Sequence, residues 1–296
     1  MKRILLLILT NLAVMVVLSI VLRLTGLDQY LYYRTGTNLG GLLLASAVIG
    51  FAGAFISLAM SKFMAKSMMG VQVIEQPRSS NEQWLVATVR AQAEQAGIGM
   101  PEVGVFDSPE PNAFATGARR DHALVAVSSG LLERMNRTEV EAVLGHEITH
   151  VANGDMVTMT LLQGVLNTFV YFLSRVVGSI IDNALSGNRE RRGGSGIGYF
   201  VTVMVLQVVL GILASMVLMW FSRRREFRAD AGGARLSGRN NMIAALERLK
   251  AVHEPSALPK QFAAMGISAG AGGGFARLFM SHPPLDERIA ALRASV

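Results

Sequence analysis

The residues in this chain best suited to chemistry are His146, Glu147, Ile148, Thr149 and His150, a His-Glu-x-x-His run. On a helix, residues four apart lie on one face, one turn above the other. His146 and His150 can then aim ring nitrogens at a single ion. Glu147 is rotated about 100° from His146 at 3.6 residues per turn, so it can reach a water on the ion rather than the ion itself. Hydrolytic zinc sites use this arrangement. Two histidines do not hold zinc durably; a third protein ligand is needed, with the fourth position left to water. The chain has no cysteine, which excludes thiolate ligands, disulfides and a cysteine nucleophile. Glu226, in Arg225-Glu226-Phe227-Arg228-Ala229-Asp230, is the candidate third ligand. Asp230 lies four residues further along the same helical face. Metal-bound histidines usually donate their other N–H to a carboxylate, and Asp230 is the candidate for that role on His146. Its alternative is a surface ion pair with Arg228 or Arg235.

Local signals indicate the elements that must position these groups. Thr138 and Glu141 read as a capping box opening a helix through His150, and Asn153-Gly154 as its end. Ser80 and Gln83 read as another, before an amphipathic helix ending near Gly97. Strands are predicted at 102–106 and 123–128, with 112–116 pairing nearby. Segments 240–252 and 285–294 have helical periodicity. The result is a mixed domain, mostly helical with a small sheet.

The chain is 51% hydrophobic and only 17% charged, against about 25% charged in ordinary soluble domains. Four apolar stretches account for this: 4–22, 39–60, 156–181 and 197–221. About 20 apolar residues suffice for a helix to cross the hydrocarbon core. The first exceeds a signal-peptide core, and Arg23 stands where a small-residue cleavage site would be needed; it reads as a retained span. Ser46, Gly50 and Ala54 recur every four residues in the second, a spacing that allows close helix approach in lipid, although ordinary use of small residues explains it as well. Gln163, Asn167 and Arg175 lie in the third, where an arginine must snorkel or face protein. The third and fourth stretches are expected to form a spanning hairpin; the alternative is a hydrophobic hairpin partly buried in protein. Because the histidines precede that hairpin and Glu226 follows it, two crossings return all three ligands to one side of the bilayer.

The expected organisation is therefore an N-terminal transmembrane hairpin (1–60), the first part of a catalytic domain (61–155), a second hairpin (156–221) and the second part of the catalytic domain (222–296). The glycine-rich stretch at 266–274 lacks a Lys-Ser/Thr and reads as a surface loop, not a phosphate cradle. The net charge is +7, but the basic residues flank apolar runs and form no single patch, so membrane anchoring is expected and nucleic-acid binding is not. Lys2, Arg3, Lys62, Lys66, Arg223, Arg224, Arg225 and Arg228 lie on one side of the spans. Arg23, Arg34, Arg189, Arg191 and Arg192 lie on the other. This bias predicts a cytoplasmic catalytic domain, although the 189–192 cluster opposes it.

The His-Glu-x-x-His run, the 226–230 segment, Asn112-Ala113-Phe114-Ala115-Thr116-Gly117 and Ser281-His282-Pro283-Pro284 through Arg288 occur in this order. With the four apolar stretches, they resemble the HtpX membrane proteases, gluzincins related to the CAAX prenyl endopeptidases. The resemblance covers essentially the whole chain. It implies a multi-pass α-helical protein of the bacterial inner membrane with a mainly helical α+β, zincin-like catalytic domain. It implies one zinc ion per chain, protein substrates drawn from damaged or unassembled membrane proteins, and a place in stress-related quality control. It implies that Asn112 and Ala113 lie on an edge strand that binds substrate backbone, that His282 stabilises the transition state, and that Arg288 supports the site. Before two prolines, His282 also reads as a turn residue. Two rival readings are a zinc-binding membrane scaffold without hydrolysis and a prenyl-protein processing endopeptidase. Glu147 argues against the first, since a binding site has no need of a carboxylate there. Four spans are few for the second.

Overall fold

A computed structural model of the chain describes residues 38–186, 197–253 and 276–295, with scattered positions before residue 38. Apart from Val16 and Ile20, the 4–22 stretch lies outside the described residues, as do Arg189, Arg191, Arg192 and the 266–274 stretch. Among the described residues, three helices are long and apolar enough to cross a membrane: Leu39–Met68, Asp155–Ala184 and Gly198–Ser237. The chain divides into two compact units, Met1–Ser57 with Val157–Leu218, and Leu58–Met156 with Met219–Val296.

Among the residues described from 38 onward, the first unit is built from parts of three helices, α1 (Leu39–Met68), α5 (Asp155–Ser186) and α6 (Ile197–Ser237). Leu39 and Leu43 pack with Phe172 and Val176. Gly50 makes the closest approach: a Cβ there would lie 2.7 Å from the backbone nitrogen of Thr168 and 2.9 Å from the carbonyl of Gly164. Ser46 and Ala54, one turn to either side, are also buried. The small residues thus act as a packing face, the role small side chains serve where lipid supplies no hydrophobic drive. Much of the remaining apolar surface is exposed, including Phe200, Val208, Leu213 and Val217 on α6.

The second unit holds a four-stranded sheet in the order β1-β2-β4-β3. The strands are β1 (Gln72–Val73), β2 (Glu102–Phe106), β3 (Ala113–Thr116) and β4 (Leu124–Ser128). β2 and β4 pair in parallel, while β3 runs antiparallel to β4 at the sheet edge. One face carries Val103, Val125 and Val127 into a core with Leu85, Val89 and Ala93 of α2 (Ser80–Ala96) and Val140, Leu144 and Ile148 of α4 (Arg137–Asn153). α7 (Arg239–His253) and α8 (Leu285–Ala294) complete that core through Met242, Leu246, Ile289 and Leu292. The opposite face packs Phe106, Leu124 and Ala126 on Val71 and Ala65.

Both predicted capping boxes form, but on other residues. α2 is capped by Ser79 with Glu82, and α4 by Asn136 with Glu139. In each pair the charged carboxylate reaches back to the cap N–H (Glu82 to Ser79, Glu139 to Asn136). A carboxylate accepts such bonds more strongly than the neutral Gln83 amide. Thr138 instead donates to the Asn136 side chain at 2.7 Å. The helix ends are as expected: Gly97 and Gly154 adopt the left-handed conformation, with φ of 67° and 69°, which glycine enters without a Cβ penalty. Ser128 caps a short helix not foreseen, α3 (Ser129–Arg134).

Candidate metal centre

α4 is buried along most of its length, including Gly145, His146, Ile148, Thr149 and His150. α6 is a single helix from the apolar stretch through Glu226 to Ser237. No proline or glycine interrupts 212–231, so no residue there breaks the helix before the Glu-x-x-x-Asp segment. α4 and α6 meet through glycine. A Cβ on Gly145 would lie 3.3 Å from Gly233 Cα, and one on Gly233 would lie 3.0 Å from the His146 backbone nitrogen. Gly232 faces Thr149 so closely that a Cβ would overlap that side chain. This close approach lets short carboxylate side chains of α6 reach the imidazoles of α4.

Three donor groups converge there. His146 Nε2 lies 3.1 Å from His150 Nε2 and 3.4 Å from Glu226 Oε2, and His150 Nε2 lies 3.2 Å from Glu226 Oε1. Donors about 2.0–2.1 Å from a shared tetrahedral centre are about 3.3–3.5 Å apart. The set His146, His150 and Glu226 therefore fits a divalent metal ion, and all three residues are buried. An N₂O donor set without sulfur suits zinc with an open position.

Both histidines present Nε2 to the common point because their Nδ1 atoms are engaged elsewhere. His146 Nδ1 is 2.9 Å from Asp230 Oδ1, and His150 Nδ1 is 2.6 Å from Asp155 Oδ2. Asp230 in turn accepts from Arg288, Nε to Oδ2 at 2.8 Å and Nη2 to Oδ1 at 2.5 Å. This two-pronged pairing holds the carboxylate in plane. The structure thus places Asp230 against His146 and Arg288 rather than against Arg228 or Arg235. His282 Nδ1 lies 2.7 Å from Glu226 Oε2; its side chain is 62% exposed, against 1% for Glu226. Glu147 is half-buried beside the sealed histidines. Asn112 exchanges backbone and hydroxyl hydrogen bonds with Ser128 at the entry to β3, and Ala113 begins that edge strand. His122 is exposed on a short 3₁₀ turn away from the cluster.

Asp155 is a member of the cluster not foreseen from sequence. The only local signal is its place just after the Gly154 turn, five residues beyond His150. Burial disfavours charge on both imidazoles, but hydrogen bonds outweigh it. Asp230 and Glu226 raise His146 above the usual imidazole range, and Asp155 and Glu226 raise His150 to about 9. In the ion-free chain an incoming cation must therefore displace a proton from His150.

A His-Glu-x-x-His helix with a glutamate donor from a second helix is the centre of a metallopeptidase. Residues 79–296 match the model of peptidase family M48. Protease HtpX of Thioalkalivibrio sulfidiphilus (strain HL-EbGR7) is 62% identical over 295 residues, covering 99% of each chain. Protease HtpX of Xanthomonas campestris pv. campestris (strain 8004) is 61% identical over 294 residues, 99% of this chain and 98% of that one. The crystal structure of S. mikatae Ste24p shares the fold, with a TM-score of 0.62 at 18% identity over 99% of this chain and 67% of that chain. The chain belongs to peptidase family M48, and it is a metalloprotease with helices long and apolar enough to cross a membrane.

Proposed function

We propose that the chain is a zinc-dependent membrane endopeptidase that hydrolyses peptide bonds of misfolded or unassembled membrane proteins. The observation that carries this reading is the triangle of buried donors at 3.1, 3.2 and 3.4 Å, with both imidazoles turned toward it by carboxylates behind them. His146, His150 and Glu226 would hold zinc. When bound there, zinc supplies Lewis-acid polarisation and makes a nucleophile available near neutral pH.

Glu147 accepts a proton from water as the water oxygen bonds to the scissile carbonyl carbon. It returns that proton to the amine nitrogen as the C–N bond breaks. Arg288 and Asp230 keep His146 oriented. Substrate backbone adds to the edge of β3 from Ala113 onward, a mode in which main-chain hydrogen bonds give affinity, with Asn112, whose own backbone N–H and C=O bond Ser128, at the entry to that strand. His282 donates to the oxygen that becomes negative as the carbonyl turns tetrahedral.

Four transmembrane helices, the last two inserted as a hairpin between the halves of the catalytic domain, are supported by the four apolar stretches. The chain would lie in the inner membrane with its catalytic domain in the cytoplasm, as the bias of Lys and Arg supports. With Cys introduced at Ser186, a membrane-impermeant thiol reagent is expected to label intact cells, and with Cys at Glu82 it is not. The reverse pattern would invert the topology.

Purification in detergent, metal analysis and digestion of an unfolded protein test the function. Activity is expected to vanish on chelation and return with zinc. Apparent zinc affinity is expected to rise with pH up to about 9, since His150 must shed its proton before binding. Activity undiminished in chelated, metal-free protein would overturn the assignment.

His282→Ala is expected to bind zinc and peptide normally but to turn over about 100-fold more slowly, in line with loss of one donor to a developing oxyanion. His282→Gln, still a donor, should fall between. Wild-type turnover per bound zinc in His282→Ala would leave His282 a turn residue only.

A further inference from the structure

We propose that Asp155 is a positioning residue of the metal centre, orienting His150 as Asp230 orients His146; this rests on the reading of His150 as a metal ligand. The contact is short, 2.6 Å from His150 Nδ1 to Asp155 Oδ2. Both residues are buried, at 8% exposure each. Neither the His-Glu-x-x-His run nor the Glu-x-x-x-Asp segment contains Asp155; the chain geometry delivers it. Gly154 takes φ 69° and its N–H bonds the carbonyls of His150 and Val151, closing α4. The chain then turns directly into α5, whose first residue is Asp155. That left-handed turn brings the carboxylate to the histidine five positions earlier, a separation that continued helix would place on the wrong side.

Two consequences follow for the imidazole. An N–H at Nδ1 bonded to a carboxylate leaves the lone pair on Nε2, the atom turned toward His146 and Glu226, and it makes that nitrogen a stronger donor. It also fixes the ring plane, because the carboxylate is itself held at the N-terminal end of α5, where backbone N–H groups favour negative charge. The two histidines therefore take their orienting carboxylates from different helices, Asp155 from the start of α5 and Asp230 from the C-terminal part of α6. These are the helices that enter and leave the 157–218 segment.

The test is zinc affinity by chelator competition on the full-length protein in detergent, with thermal unfolding of the chelated protein as the control. Asp155→Ala is expected to lower affinity about 10–100-fold while folded protein remains. Asp155→Asn, which retains an acceptor oxygen of the same reach but no charge, should lose less. With cobalt(II) as the probe ion, the visible spectrum of Asp155→Ala should differ from wild type, because the ligand geometry around the ion has changed. A residue that merely starts α5 would lower unfolding temperature without altering affinity per folded molecule or the cobalt spectrum. Affinities of both variants within threefold of wild type would overturn the proposal. Should Asp155→Ala fail to fold, Asp155→Asn decides alone: a loss of threefold or more supports it and wild-type affinity overturns it. If wild type and His150→Ala hold zinc equally, the ligand reading itself has failed, an outcome distinct from failure of Asp155.

Discussion

Glu147→Ala is expected to keep zinc and the fold yet lose about 10³–10⁴ of its turnover, toward the upper end of what general acid–base catalysis contributes. Glu147 lies one residue beyond His146, so it is rotated off the line of the two ligands, and its half-buried position beside them suits proton transfer rather than coordination. A carboxylate does two jobs in the proposed reaction, taking a proton from water and giving it to the leaving amine, and alanine does neither. Glu147→Gln keeps the volume but cannot carry the proton, so it should be equally impaired. Turnover per bound zinc on an unfolded protein substrate is the measurement. A zinc-loaded Glu147→Ala protein with wild-type turnover would sink the mechanism and favour another base.

Glu226→Ala is expected to lower zinc affinity by more than about 100-fold, exceeding the 10–100-fold typical of residues behind the ligands. Glu226 closes the donor triangle, with one carboxylate oxygen 3.2 Å from His150 and the other 3.4 Å from His146. Its loss also deprives His282 of its partner. The effect has a stability readout. Zinc at about 1,000 times its dissociation constant stabilises a folded protein by about 4 kcal/mol, so the zinc-induced rise in unfolding temperature should largely vanish in the variant. Asp230→Ala should weaken binding more mildly. If Glu226→Ala held zinc as wild type does under chelator competition, the third ligand would lie elsewhere.

Much of the site was legible in the chain because its logic is local. Four-residue spacing on a helix puts His146 under His150 and Glu226 under Asp230 whatever surrounds them. Hydropathy marked the apolar helices at 39–60, 156–181 and 197–221, since bilayer thickness sets their length. Gly97 and Gly154 announced helix ends, because a left-handed residue favours glycine. Cap positions were less legible: Ser80-Gln83 and Ser79-Glu82 differ by one residue, and the choice falls to whichever acceptor is stronger. The roles proposed for Asn112, Ala113, His282 and Arg288 carried no local signal and came from family resemblance alone.

The sequence by itself determined the chemistry available: two imidazoles and a carboxylate on one turn of helix, a carboxylate pair on another, no thiol, and apolar runs flanked by basic residues. Tertiary structure decided which of these groups meet. His146 and Asp230 are 84 residues apart, Asp230 and Arg288 are 58 apart, and His282 and Glu226 are 56 apart; no periodicity links positions at such distances. Their contact depends on how closely α4 and α6 approach, set by Gly145, Gly232 and Gly233, and on the packing of α8 through Ile289 and Leu292. Asp155 was readable only as the residue after a turn. Its bond to His150 appears once the left-handed turn at Gly154 is formed, because a hydrogen bond requires a direction and a distance, and only the folded chain supplies both.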